Sequence, residues 1–178
     1  MSDEPGSLER KVASAGPGGP PPLSLFGLVL HHDGRWSHEG QPILNRKLRE
    51  KFDRSVVYLS AEAKYVVQVG HFRGQIDIEE AGFFVRSVDL EQGQIVLSDG
   101  SLESLRLETL RPSPIDGALL CQVKEGLAAG GLPARFSQSS QADLLGGAQA
   151  EGSAVFVVLA GQRHCLPPAL VPDSEGED

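Results

Sequence analysis

Signatures of catalysis are what this sequence lacks most plainly. It has no glycine-rich phosphate loop with a following Lys, no Gly-x-Ser-x-Gly, no paired Cys-x-x-Cys and no His-Glu-x-x-His. Each absence removes the sequence grounds for a nucleotide enzyme, a serine hydrolase of the elbow type or a zinc protease, and no cofactor is called for. Cysteine is scarce too: Cys121 and Cys165 are the only two. A lone distant pair in a chain without a secretory leader reads as two buried thiols rather than a disulfide.

No apolar run approaches the roughly 20 residues of a membrane helix, and the first residues are polar with no apolar h-region. The expected protein is cytoplasmic, with no membrane span. Excess positive charge is missing as well. The formal net charge is −8, and the last seven residues hold four acids and no base. The body is left only mildly acidic, which gives nucleic acid no basic footprint to bind.

What is present is a foldable chain, 40% hydrophobic over 178 residues. Residues 1–22, rich in Gly, Pro and Ser, are expected to be a disordered tail, as is the acidic stretch 172–178. Between them the chain reads mainly as antiparallel strands. Asp33-Gly34 and Asp99-Gly100 separate short apolar runs and predict hairpins. Gln92-Gly93 and Ala160-Gly161 give further turns, and Asp116-Gly117 another, after Pro112 and Pro114 have removed ladder donors.

Two segments read as helices. Leu44, Leu48 and Phe52 recur at helical spacing with Lys and Arg around the other faces. Ser139 to Leu145 has serines to cap its start and Gly146-Gly147 to stop it. One helix per half implies an N-terminal lobe over 23–90 and a C-terminal lobe over 91–171.

The histidine-rich segment His31 to Gly40 carries three of the five histidines and the one tryptophan. A two-residue Asp33-Gly34 turn would pair His32 with Arg35, His31 with Trp36 and Val29 with His38. Alternation then gathers His31, Trp36 and His38 on one face and sends His32 and Glu39 to the other. His31 and His38 would be diagonal neighbours, roughly 7–8 Å apart. Two histidines fall short of a tetrahedral zinc set, so no metal site is assigned. A metal-assisted hydrolase would need a third ligand, such as His71, His164 or an acid.

Other groupings have plainer readings. Arg46, Lys47, Arg49, Lys51 and Arg54 could hold an oxyanion, because guanidinium binds it bidentately. Glu50 and Asp53 are interleaved among them, and an amphipathic helix needs a charged outer face in any case. Asp77, Glu79 and Glu80 alternate with isoleucines as a half-exposed strand does, so paired-carboxylate catalysis is not favoured. His164 and Cys165, being strand neighbours, point to opposite faces; the thiol is expected inside and the imidazole outside. No catalytic residue is assigned.

The run Asp33-Gly34-Arg35-Trp36-Ser37-His38-Glu39-Gly40-Gln41-Pro42-Ile43 resembles the opening of a bacterial family of uncharacterised proteins of about this length. Members carry an Asp-Gly turn, an aromatic, a Gly-x-Pro-Ile step and a short helix ending near a Phe. Val57-Tyr58-Leu59 with Glu62-x-Lys64, Ile78-Glu79-Glu80-Ala81-Gly82-Phe83, and Ala134-Arg135-Phe136 are similar to later steps. Gly82 stands where the family has Pro, and His71 to Gln75 looks like an insertion, so the likeness is to a distant member. The layout is also similar to that of an uncharacterised mitochondrial family.

The resemblance implies an α+β fold of two small lobes. Each would be a curved antiparallel sheet or half-barrel with one packed helix, somewhat like a pleckstrin-homology domain. It also implies a possible role in signalling, and no catalytic residues. The expected function is a non-enzymatic binding or regulatory protein with a protein partner or small ligand. Its candidate surface is His31, Arg35, Trp36, His38, Arg46 and Arg49. The alternatives are the metal-assisted hydrolase through His31 and His38, and a small-molecule sensor with its ligand between the lobes.

Overall fold

The computed structural model describes residues 24–171, and the expected tails at 1–22 and 172–178 lie outside them. The chain is α+β, with fifteen strands and two α-helices among the described residues. The first sheet is built from β1 (Ser24–Leu30), β2 (Trp36–His38), β3 (Gln41–Pro42), β4 (Val56–Leu59), β5 (Lys64–Val69) and β6 (Phe72–Ile78), in the spatial order β3-β2-β1-β6-β5-β4. Helix α1 (Arg46–Ser55) connects β3 to β4.

The second sheet holds β7 (Phe83–Asp89), β8 (Gln94–Leu97), β9 (Leu102–Ser104), β10 (Arg111–Pro112), β11 (Leu119–Val123) and β12 (Leu132–Phe136), in the order β10-β11-β12-β7-β8-β9. Helix α2 (Gln138–Gly146) follows, and then a third sheet of β13 (Ala148–Glu151), β14 (Ala154–Leu159) and β15 (Gln162–Cys165). These define two lobes, and neither large sheet closes into a barrel. Strand β7, which a boundary at Leu90 would leave with the first lobe, pairs in the second sheet.

Each large sheet contains one parallel pair, β1 with β6 and β12 with β7. Apolar periodicity reports which face of a strand is buried but not its direction, so these junctions between antiparallel runs leave no trace in the sequence.

In the first hairpin Leu28 pairs with His38 and Leu30 with Trp36, and His31 N–H donates to Arg35 O at 2.9 Å. The loop is therefore three residues, His32-Asp33-Gly34, with Gly34 at φ +82° and its N–H on His31 O. The Asp99-Gly100 turn repeats this form. Leu97 N–H donates to Ser101 O, Gly100 N–H donates to Leu97 O, and Gly100 sits at φ +85°. In both turns the aspartate Oδ1 accepts the backbone N–H two residues on, at 3.0 Å.

Helix α1 begins at Asn45, whose side chain accepts Leu48 N–H at 3.1 Å. Its expected apolar stripe packs only in part, because Phe52 is half-buried while Leu44 and Leu48 are exposed. Helix α2 is capped by Ser137 and anchored by Leu144, and Ser140 Oγ–H donates to Val85 O at 2.8 Å. One continuous apolar cluster joins the lobes, running from Leu30 and Trp36 through Phe83, Phe84 and Leu97 to Phe136, Leu144 and Val157.

Candidate functional site

The hairpin register decides what the histidine segment can do. A loop of three residues instead of two slips the pairing by one, and a slip of one sends side chains to the opposite face. His31 therefore parts from Trp36 and His38, and the His31/His38 metal alternative loses its geometry. Among the described residues no three His, Cys, Asp or Glu stand where they could hold a metal ion. His71 lies in the turn between β5 and β6, and His164 on β15 of the third sheet.

His31 and His32 both turn to Glu79. His31 Nδ1 lies 2.7 Å from Oε1, His32 Nδ1 lies 2.7 Å from Oε2, and the His32 backbone N–H donates to Oε2 at 2.8 Å. That amide, with the two rings behind it, holds the Glu79 carboxyl at about 2. A carboxylate only accepts, so both Nδ1 atoms donate. With neutral His31, its Nε2 then accepts from Ser37 Oγ–H at 2.8 Å. The line Ser37–His31–Glu79 has relay spacing, but Ser37 is 7% exposed and its hydroxyl is engaged on the ring. It pins the turn to the connector between the sheets.

Nor do Glu79 and Glu80 act as a carboxylate pair. Glu80 turns into the second lobe, where Arg135 donates to its Oε2 at 2.7 Å and Ser113 donates to Oε1. Asp77 is exposed on β6. The cysteines are both free, but only Cys121 is buried; Cys165 is exposed, against expectation. On β15 it is His164 that pairs with the buried Val157, so the half-buried partner is the imidazole.

Trp36 is 1% exposed and belongs to the core, not to a binding surface. Its indole N–H donates to Asp53 Oδ1 at 2.9 Å. Asp53, on α1, uses Oδ2 to accept from Arg86 of β7 at 2.8 Å. Burial pushes the Asp53 carboxyl above its usual value, against the pull of Trp36 and Arg86. This carboxylate lines a cleft of about 540 Å³ between the lobes.

The first lobe contributes Gly34 and one face of α1 to that cleft, and the second contributes Arg86, the β8 end and Gly100. The two matching Asp-Gly turns therefore bring their glycines to the same cleft from different lobes. On the helix, Arg46, Arg49, Glu50, Asp53 and Arg54 line it. That is one stripe at i, i+3, i+4, i+7 and i+8. Arg46 donates to Glu50 at 2.7 Å, and that hydrogen bond with the cation behind it keeps Glu50 below its usual value.

Of the candidate surface residues, Arg46 and Arg49 thus reach a cleft. Arg35 projects outward, paired with Asp33, and His38 is exposed on β2. Sequence reasoning missed Arg86 and the role of Asp53. The charged stripe on α1 was readable as a stripe, but nothing marked Arg86 as its opposite wall.

The class this architecture defines is a two-lobed α+β protein of two mixed sheets with a small third one. Its structure neighbours are DUF1285 family proteins, which are uncharacterised bacterial proteins. A crystal structure of one from Silicibacter pomeroyi DSS-3 is similar with a TM-score of 0.57 and 18% sequence identity, over 88% of this chain and 91% of that one. A second, from Shewanella baltica OS155, gives 0.45 and 12%, over 68% of this chain and 91% of that one. The likeness is one of fold. No family model matches the chain, and no curated protein matches it.

Proposed function

We propose that this protein is a non-enzymatic binding or regulatory protein of the cytoplasm whose ligand occupies the cleft between the lobes. The observation that carries the reading is the Asp53–Arg86 ion pair, which joins the two lobes in the lining of that cleft. A molecule seated there touches both lobes at once, so its binding couples to their relative position. The cleft volume, about 540 Å³, falls in the range of small-molecule sites. A part in signalling fits such coupling, and the pleckstrin-homology-like description of the lobes belongs to the same reading.

The test is a ligand panel followed by amide chemical shifts of the full chain. A genuine ligand moves Gly34 and Gly100 together, since the two face the cleft from different lobes. A ligand that moves only one lobe, or that is converted to product during the measurement, overturns the proposal.

A further inference from the structure

The cleft has more positive charge than its own acids engage. Glu50 is occupied by Arg46, and Asp53 by Arg86 and Trp36. Arg49 and Arg54 then remain, with no ion pair of their own among the described residues. Arg49 Nε is moreover buried with no hydrogen-bond partner. A buried donor left unpaired is costly, and native structures avoid it unless something else supplies the acceptor.

The charged face of α1 is open to solvent and also forms one side of the cleft. An amphipathic helix normally shows such a face to water. This one shares the lining of the cleft with Arg86, a further cation from the other lobe, and with Gly100, where an added Cβ would meet nothing within 4 Å. Two guanidinium forks that feel Glu50 and Asp53 only through space, with Arg86 opposite, match a compact tetrahedral dianion better than a single carboxylate. Each fork takes two oxygens, and the ligand supplies at least three around one centre.

We infer that the cleft binds a phosphomonoester dianion through Arg49 and Arg54 of α1, with Arg86 facing them from β7. The inference rests on the binding reading given above and names its ligand class. The ester is carried either by a free small molecule or by a phosphorylated side chain. Arg46 and Glu50 pair with each other, which leaves Arg49 and Arg54 available.

Calorimetry and amide shifts on the full chain decide it, with inorganic phosphate, AMP and a phosphoserine peptide as probes and adenosine and the unphosphorylated peptide as controls. The expected result is binding of AMP or of the phosphopeptide, weakening as salt rises. Arg49→Gln and Arg54→Gln should each weaken it about tenfold, consistent with loss of one charged hydrogen-bond pair, while thermal unfolding stays unchanged. Arg111→Gln, on exposed β10 outside the cleft, should leave it unaltered. AMP alone identifies a free small molecule, and the peptide alone identifies a phosphorylated side chain.

Phosphorylated probes that fail to bind, or whose binding survives both substitutions, overturn the inference. If adenosine moves Gly34 and Gly100 as strongly as AMP, the cleft remains the binding site and only the dianion falls. If no probe moves either glycine, both readings fall.

Discussion

Trp36 hands its indole N–H to Asp53 Oδ1 at 2.9 Å, and through that bond a core residue sets the position of a cleft residue. The Asp53 side chain is 12% exposed, and its other oxygen crosses to Arg86 in the second sheet. The Trp36 ring is itself held against Phe52, with centroids 5.3 Å apart. The single tryptophan therefore works from inside, by orienting the carboxylate that orients Arg86.

Trp36→Phe keeps an aromatic ring in the core and removes only the donor. Asp53 Oδ1 is then left in a buried place without its hydrogen bond, which costs about 1–3 kcal/mol. Urea unfolding should show that loss with an unchanged slope. A loss below about 0.5 kcal/mol, the low end for a hydrogen bond, would mean that Asp53 finds another donor.

Adjacent acids should behave very differently. Glu80 and Arg135 are both 8% exposed and paired, so Glu80→Ala leaves a buried guanidinium short of a partner. Removing one member of a buried pair costs about 3 kcal/mol at the lower end of the usual range. The lower end applies because Asp116 still holds Arg135. Glu79→Ala, at a 39% exposed side chain, should cost clearly less in the same unfolding assay.

Glu79 also predicts a pH dependence. Its carboxyl is lowered from 4.5 to about 2 in the fold, chiefly by the His32 backbone N–H and then by the two imidazoles. The unfolded chain takes up that proton first, so the contribution is complete above 4.5 and disappears as pH falls toward 2. Unfolding midpoints measured across that window should fall less steeply in Glu79→Gln. Asp116, held low by the hydrogen bond from Arg135, keeps part of the slope in the variant.

Much of the fold was legible because turn chemistry is local. Asp33-Gly34 and Asp99-Gly100 mark real turns, Ala160-Gly161 closes a two-residue hairpin, and a serine, Ser137, caps α2. What the dipeptides could not reveal was loop length. Asp-Gly serves a two-residue loop and a three-residue loop equally well, since both need positive φ at the glycine. That single residue moved His31 from the Trp36 face to Glu79 and dissolved the expected cluster. The cleft was less legible still. Arg46, Arg49 and Arg54 read as a solvated face, because the strand that turns them into a wall carries Arg86 far along the chain. Parallel pairing of β12 with β7 depends on such long-range contacts and has no local signature.

The two thiols give a direct check on the second half of the fold. Burial pushes the Cys121 thiol up to about 12, so it has almost no thiolate near neutral pH. Cys165 is exposed on β15. A thiol reagent should modify one cysteine of the native protein quickly, identified as Cys165 by peptide mapping, and both in denaturant. Rapid modification of Cys121 in the native state would contradict the packing of β11.

Gly82 lies directly against the ring of Tyr65. A Cβ on Gly82 would stand 2.3 Å from Tyr65 Cε1 and 2.7 Å from Cδ1, closer than any real contact. The ring cannot easily swing aside, since Tyr58 packs on it at 4.9 Å and Phe83 at 6.1 Å between centroids. Gly82→Ala should therefore cost about 1–3 kcal/mol, as overpacked cores do. Tyr65→Phe discriminates the cause, because it removes only a hydroxyl that is buried without a partner and leaves the ring in place. Gly82→Ala should cost as much in that background as in the native chain. In a Tyr65→Ala background the ring is gone and the added methyl should cost much less, a coupling of about 1 kcal/mol or more between the two sites. Additive losses in that double-mutant cycle would mean the ring does not fill the space over Gly82.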